Sequence, residues 1–319
     1  MRGDDQLSLK VLDASFQLSQ ELRLPEGEQL EPIANGDDGL WVSYFVASTE
    51  CSEPADLTEC YNPLVHDILD LVDASPSQPP ERYAQPDLWV ARFSATGELL
   101  WTASGPPGEV LDFDDPAGGR VAVDGRGWSY LSQSYTKPPR TVVMAFDPDG
   151  KLQYTRELEG FGSPIADGKG LTMLFDAASN MHQDQAPADA GVEQGEANDA
   201  ATTDTIALSE VKGYHGCPGI QRLDDNGEVA WGWSGLFDRA VAAGDHVLVA
   251  ELDAERTRVP ATRRSYVYEP VLQAIHRLDA EGHWLGAFKV PDASGQQWSA
   301  DAEGNLFVGE SSVEAYHLP

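Results

Sequence analysis

Two groups of side chains in this chain could do chemistry. The first is rich in arginine. Arg256, Arg258, Arg263 and Arg264 fall close together with Tyr266 and Tyr268, in a chain with only 21 basic residues. Guanidinium groups fork onto carboxylates, and tyrosines add flat, hydroxylated surface. The set therefore suits a carboxylate, a sugar or an acidic partner segment. The competing use is neutralisation of neighbouring acidic loops. The second group is the pair Cys51 and Cys60, in ECSEPADLTEC. A local disulfide would suit an oxidising compartment, and two unpaired thiols are the alternative. The spacing fits no short C-x2-C zinc knuckle, and Cys217 reads as a small buried residue.

Recognisable catalytic patterns are missing. The sequence has no G-x-S-x-G, no H-E-x-x-H and no P-loop. DPDG and DDNG lack the later ligands and glutamate of an EF-hand, so they read as hairpin turns. SADAEGNLF is similar to a sialidase Asp-box but is one residue too long, and such boxes are structural. The histidines, His66, His182, His215, His246, His276, His283 and His317, are scattered. No pair has the helical or strand spacing of a shared metal, and His182 with Asp184 makes a poor cation site. A site assembled from several repeats stays open. The sequence thus assigns no catalytic residue, no metal and no cofactor.

Composition narrows the partners. The 319 residues carry 53 acidic and 21 basic side chains, a net charge of −32. That balance opposes binding to nucleic acid and to anionic membranes, which needs lysine and arginine against phosphate. A solvated surface explains it, and a cation-binding or salt-adapted surface is the sharper alternative. No apolar run is long enough to span a membrane. The start, MRGDDQLSLK, has no apolar h-region and reads as no signal peptide in this chain. An extracytoplasmic place is favoured through the cysteine pair.

The elements that must position these groups come from internal repetition. One unit, VAVDGRGWSYLSQ from Val121, recurs as IANGDDGLWVSYF, IADGKGLTMLF, VAAGDHVLVAEL and WSADAEGNLFVGES. A second, VVMAFDPDGKLQYTREL from Val142, recurs as DLWVARFSATGELLWTASG, GIQRLDDNGEVAWGW and AIHRLDAEGHWLGAF, with a degenerate copy from Leu9. Each reads as two strands about a tight turn, because Asp and Gly tolerate the backbone that such turns need. Turn glycines Gly97, Gly150 and Gly227 are followed four residues later by Trp101, Tyr154 and Trp231. After Gly282 the tryptophan, Trp284, comes two residues later.

Two hairpins per repeat, recurring at roughly 40–50 residues, predict an all-β chain: a β-propeller of four-stranded antiparallel blades. Five blades are expected, and six are open. Ala34, Ala122, Ala166, Ala242 and Ala300 occupy one place in the first unit, where strands converge on a channel. The N- and C-terminal strands are expected to close the last blade together. The repeat runs nearly end to end, so residues 1–319 read as a single domain; a monomer is expected, though the sequence does not give the oligomeric state.

VAVDGRGWSYLSQ resembles the V-A-V-D-x-x-G-x-x-Y-V pattern of NHL and related bacterial β-propeller repeats, and FDPDGKLQY resembles their F-D-x-x-G-K hairpin. SATGELLW and DDNGEVAW are similar to the quinoprotein-type blade, x-x-x-G-x-x-x-W. The resemblance implies the propeller scaffold. Such families include sensors, binding modules, assembly scaffolds and lactonase-like hydrolases, and no catalytic residue is carried over.

Extra residues fall between strands two and three of several repeats, at about 49–86, 178–205 and 253–270, with TKPPR a smaller case. That slot lies on one face of a propeller. The stretch 178–205 is acidic, lacks aromatics and reads as a solvated loop. Leu64, Val65, Ile68, Leu69 and Leu71 are spaced for a short amphipathic helix. Loops on a rigid scaffold commonly carry binding sites, and they also tolerate insertion at small cost. The expected function is a non-enzymatic binding or scaffold propeller engaging a protein or carbohydrate ligand through its inserted face. The alternative is a metal-dependent, lactonase-like hydrolase acting at the channel mouth, and a quinone-dependent dehydrogenase ranks third.

Overall fold

Short strands rich in branched and aromatic residues, punctuated by Asp/Gly turns, leave no room for helices in the repeats. The computed structural model describes residues 8–12, 18–23, 28–36, 39–46, 82–84, 87–106, 110–112, 119–136, 138–175, 205–207, 219–260, 270–289, 297–301, 303–309 and 313–316. All regular elements among them are strands. They group into two compact units, residues 1–159 with 225–227, and residues 160–224 with 228–319.

In the first unit β1 (Ser8–Leu12) pairs with β2 (Leu18–Arg23). Then come β3 (Glu28–Gly36), β4 (Gly39–Val46), the short β5 (Arg82–Ala84), β6 (Asp87–Phe93) and β7 (Leu99–Ser104). After β8 (Val110–Asp112) follow β9 (Gly119–Val123), β10 (Ser129–Thr136), β11 (Pro139–Phe146) and β12 (Leu152–Glu159). Hydrogen bonding sorts these into two four-stranded meanders, β3-β4-β6-β7 and β9-β10-β11-β12, with β5 paired to β8.

The second unit holds β13 (Ser163–Ala166), β14 (Leu171–Leu174), β15 (Thr205–Ala207), β16 (Ile220–Leu223) and β17 (Val229–Trp233). It continues with β18 (Phe237–Ala243), β19 (His246–Leu252), β20 (Arg258–Pro260), β21 (Leu272–Asp279) and β22 (Trp284–Phe288). It ends with β23 (Gln297–Ala300), β24 (Leu306–Gly309) and β25 (Val313–Tyr316). The sheets are β13-β14-β16-β17, β18-β19-β21-β22 and β23-β24-β25, with β15 paired to β20.

Successive four-stranded antiparallel meanders are propeller blades, and the described residues form four of them and a fifth sheet of three strands. The closure expected from the chain ends is not among the described ladders. β1 and β2 pair with each other, and β23 to β25 stop at three strands. A local hairpin closes a far shorter loop than a pairing between opposite ends of the chain, so its entropic cost is lower. The five alanines fall on β3, β9, β13, β18 and β23, the first and terminal strand of each sheet. Within the units, β3 lies beside β9, and β18 beside both β13 and β23.

Central strands are sandwiched between neighbours. Along β19, Val247 and Val249 pack with Leu174, Ile220 and Phe237, while Leu248 packs on the opposite side with Leu306 and Val308. Alternate side chains of a strand face opposite ways, so burial on both faces demands a continuous apolar run, here VLVA.

The turns between strands three and four are built alike. Asp147 Oδ1 accepts the backbone N–H groups of Asp149 and Lys151, each at 3.0 Å. Asp224 and Asp279 hold Glu228 N and His283 N at 2.9 and 2.8 Å, and the Ser94 hydroxyl holds Glu98 N at 3.1 Å. Gly150 closes its turn at φ +77°, where a side chain is strained. A ring occupies the space where its Cβ would lie. Trp101 atoms come within 2.7 Å of that point, Tyr154 within 2.6 Å at Gly227, and Trp231 within 2.6 Å at Gly282. Trp101 Nε1–H donates to Pro148 O and Trp231 Nε1–H to Ala280 O, both at 2.9 Å. The spaced aromatics of the sequence are therefore clasps. Each leaves the last strand of one blade and seats on the turn of the next repeat.

A second clasp is ionic. Arg222 on β16 forks onto Asp167, with Nη2–Oδ1 at 3.1 Å, and also donates to Thr172 Oγ1 at 3.1 Å. Their side chains are 6% and 0% exposed. Asp124, at the same turn position one blade earlier, instead accepts Tyr130 Oη at 2.9 Å and Arg126 Nε at 3.0 Å. Burial, and then the charge of Asp124, push the Tyr130 hydroxyl well above the usual tyrosine range.

Two outcomes are expected in chemical denaturation. Gly150→Ala should cost about 2 kcal/mol or more, combining backbone strain with displacement of Trp101. Arg222→Met should cost about 3–5 kcal/mol, because it strands a buried carboxylate, and adding Asp167→Asn should recover part of that loss.

Candidate functional site

The insertions do interrupt the connection between strands two and three. β4 pairs with β6, β14 with β16 and β19 with β21, so each long segment leaves and re-enters one blade at the same slot. In the second unit two of these segments are joined. Thr205, Ile206 and Ala207 of β15 pair with Pro260, Val259 and Arg258 of β20. In the first unit the insert strand β5 pairs with β8, from the link between blades.

The neck of the 253–270 segment is pinned by hydrogen bonds. Asp253 N donates to Val271 O at 2.7 Å, and Thr257 N to Asp253 O at 2.8 Å. The fully buried Thr257 hydroxyl accepts Val271 N at 3.1 Å and donates to Val271 O at 3.3 Å. Asp253 Oδ1 takes the N–H groups of Glu255 and Arg256, each at 3.2 Å. This frame holds Arg256 and Arg258 exposed at the base of the insert. Arg258 Nη1 donates to Glu255 O at 3.0 Å. Neither arginine pairs with a carboxylate among the described residues. Arg263, Arg264, Tyr266 and Tyr268 lie outside the described residues, as do Cys51, Cys60, Cys217, His66, His182, Asp184 and the helix expected near Leu64–Leu71.

Three possible metal ligands meet in one turn. Single atoms of Asp279, Glu281 and His283 lie within 4.8 Å of one another. The turn itself accounts for the arrangement, because Asp279 accepts both His283 N, at 2.8 Å, and His283 Nδ1, at 3.0 Å. Burial raises the affinity of Asp279 for a proton, but these bonds outweigh it and hold the carboxyl below the usual range.

Sequence reasoning missed one polar cluster, on the fourth blade. His276 Nε2 lies 2.8 Å from Glu251 Oε2, and Trp284 Nε1 lies 3.3 Å from His276 Nδ1. Indole N–H can only donate, so Nδ1 accepts and Nε2–H points at Glu251. Trp233 stands against the imidazole, with centroids 6.3 Å apart. The displaced register of Trp284 was the visible signal. The cross-strand reach of Glu251 to His276 left no local pattern.

No protein-family model matches the chain, and no curated protein matches it. Solved structures with some likeness include a eukaryotic initiation factor, at 9% identity and a TM-score of 0.42, covering 97% of this chain and 58% of that one. Another is the β-propeller domain of the Trilobed protease from Pyrococcus furiosus, at 9% identity and a TM-score of 0.41, covering 96% of this chain and 75% of that one. A third is a D477G ACO/RPE65 chimera, at 11% identity and a TM-score of 0.29, covering 74% and 50%. This chain thus spans less than two thirds of the first of these proteins.

Thr257→Val should loosen the neck. It leaves the Val271 N–H without its partner, while Val271 O keeps the bond from Asp253 N, at a cost of about 1–3 kcal/mol. Thermal unfolding should fall accordingly, and amide exchange at Val271 should quicken more than exchange along β19.

Proposed function

We propose that this chain is a non-enzymatic binding or scaffold propeller. It would use all five blades as one domain, with NHL-like repeats, and would act outside the cytoplasm on a protein or carbohydrate ligand. The observation that supports the reading is the β15–β20 ladder, which ties two inserts of neighbouring blades into one structure. Insertions that were only tolerated would have no reason to pair. Together with the pinned neck, the ladder gives a rigid base to an otherwise long loop, as a binding surface requires.

In this reading Arg256, Arg258, Arg263, Arg264, Tyr266 and Tyr268 contact the ligand. Arginine supplies paired donors and tyrosine flat contact area, in a chain whose charge of −32 makes basic clusters scarce. The ligand would present carboxylates or hydroxyls.

The test begins with partners captured by the purified chain and with a glycan array, followed by titration of each ligand found. Replacing Arg263, Arg264 and Tyr266 with alanine, alone and with Arg256→Ala and Arg258→Ala, should weaken binding about tenfold or more. The melting temperature should stay unchanged. Affinity equal to that of the parent chain would remove the site from this loop.

A further inference from the structure

Blade four breaks a rule that the first three blades keep. In three repeats the fourth residue after the turn glycine is the clasp aromatic, Trp101, Tyr154 or Trp231. In blade four that place is Gly286, and a Cβ built there meets nothing within 4 Å. The aromatic stands instead at Trp284, two residues after Gly282, with 56% of its surface exposed. The equivalent residues elsewhere are Leu99, Leu152 and Val229, which are aliphatic. Scaffold packing therefore does not call for a tryptophan at 284.

The indole is nevertheless held. Its N–H is taken by His276 Nδ1, and the other side of that imidazole is fixed by Glu251. Two hydrogen bonds in series orient an indole that is more than half exposed and whose N–H edge is occupied. Beside it lies the unfilled space at Gly286. One imidazole away, Glu251 is about a third exposed, with its side chain 31% accessible. No described residue bonds its second oxygen, Oε1.

We propose that Trp284, Gly286, His276 and Glu251 form a subsite for a neutral sugar ring, separate from the arginine-bearing insert. The C–H face of a pyranose would stack on Trp284 and settle over Gly286. Its hydroxyls would donate to Glu251 Oε1. A planar apolar platform beside a lone acceptor suits a sugar better than a purely apolar ligand, which would leave the carboxylate unpaired. An anionic sugar is disfavoured by Glu251 and by the charge of −32.

The experiment titrates the full chain with cellohexaose, xylohexaose and mannohexaose, read by tryptophan fluorescence and by calorimetry. At least one should bind and shift the emission. Trp284→Ala should weaken it about tenfold or more and abolish the shift, while Trp284→Phe should retain part of the affinity. Glu251→Gln should weaken binding less than Trp284→Ala does. Gly286→Val should also weaken it, by filling the space. The melting temperature of Trp284→Ala should match the parent, because an exposed ring carries little packing. Arg256→Ala with Arg258→Ala should leave this binding intact, which separates it from the insert reading. The proposal is overturned if none of the three sugars binds at about 10 mM. It is equally overturned if Trp284→Ala binds as tightly as the parent, or if binding is lost only in the arginine variants.

Discussion

The seating of an aromatic ring on a bare glycine α-carbon organises this molecule. Trp101, Tyr154 and Trp231 each occupy the volume that a side chain at Gly150, Gly227 or Gly282 would need. The turn must have glycine twice over, for its positive φ and for the ring above it. Two of the rings add an indole hydrogen bond to a turn carbonyl. Apolar burial alone is non-directional, and many stackings of one sheet on another would satisfy it. The clasp sets the register in which one meander meets the next turn, and the apolar sides of β19 and its neighbours then fill in.

Much of this was legible in the amino-acid order, because it depends on short-range chemistry. Asp and Gly at fixed offsets predicted the hairpins, and the turns at Asp147, Asp224 and Asp279 are the result. The alanines marked the first strand of every blade. What escaped depends on pairings between distant positions. Arg222 reaches Asp167 at another turn of its blade, and Glu251 on β19 reaches His276 on the paired strand β21. Neither leaves a period in the sequence. The three-residue ladders β5–β8 and β15–β20 are too short to show alternation. Closure by the termini is not among the described ladders: strand-like composition does not name a partner, and the neighbouring strand was available to β2. Of the candidate site, the slot of the insertions was readable, whereas the frame beneath them was not.

Arginine shows how context overrides type. At Arg222 it is buried in an ion pair. At Arg92 it lies over the Trp41 ring, 4.8 Å from the centroid, and at Arg126 it bridges Asp124 and Asp225. Desolvation lowers the proton affinity of Arg126, yet the bond to Asp225 and the charge of Asp124 more than reverse this. In a chain so acidic, each of these cations is committed to the scaffold. Those at Arg256 and Arg258 face solvent.

The ladder between β15 and β20 has a consequence for how this protein can vary. It subdivides a long excursion, so that the stretch 261–269 begins at a paired strand and ends at the bonds around Val271. Closing a short interval from fixed ends is entropically easier than closing a long one, and changes in its length matter little. Both anchors of the interval are thereby fixed by bonds outside its own sequence. Its sequence can be exchanged wholesale, like a cassette, while the clasps and cores beneath it keep their registers.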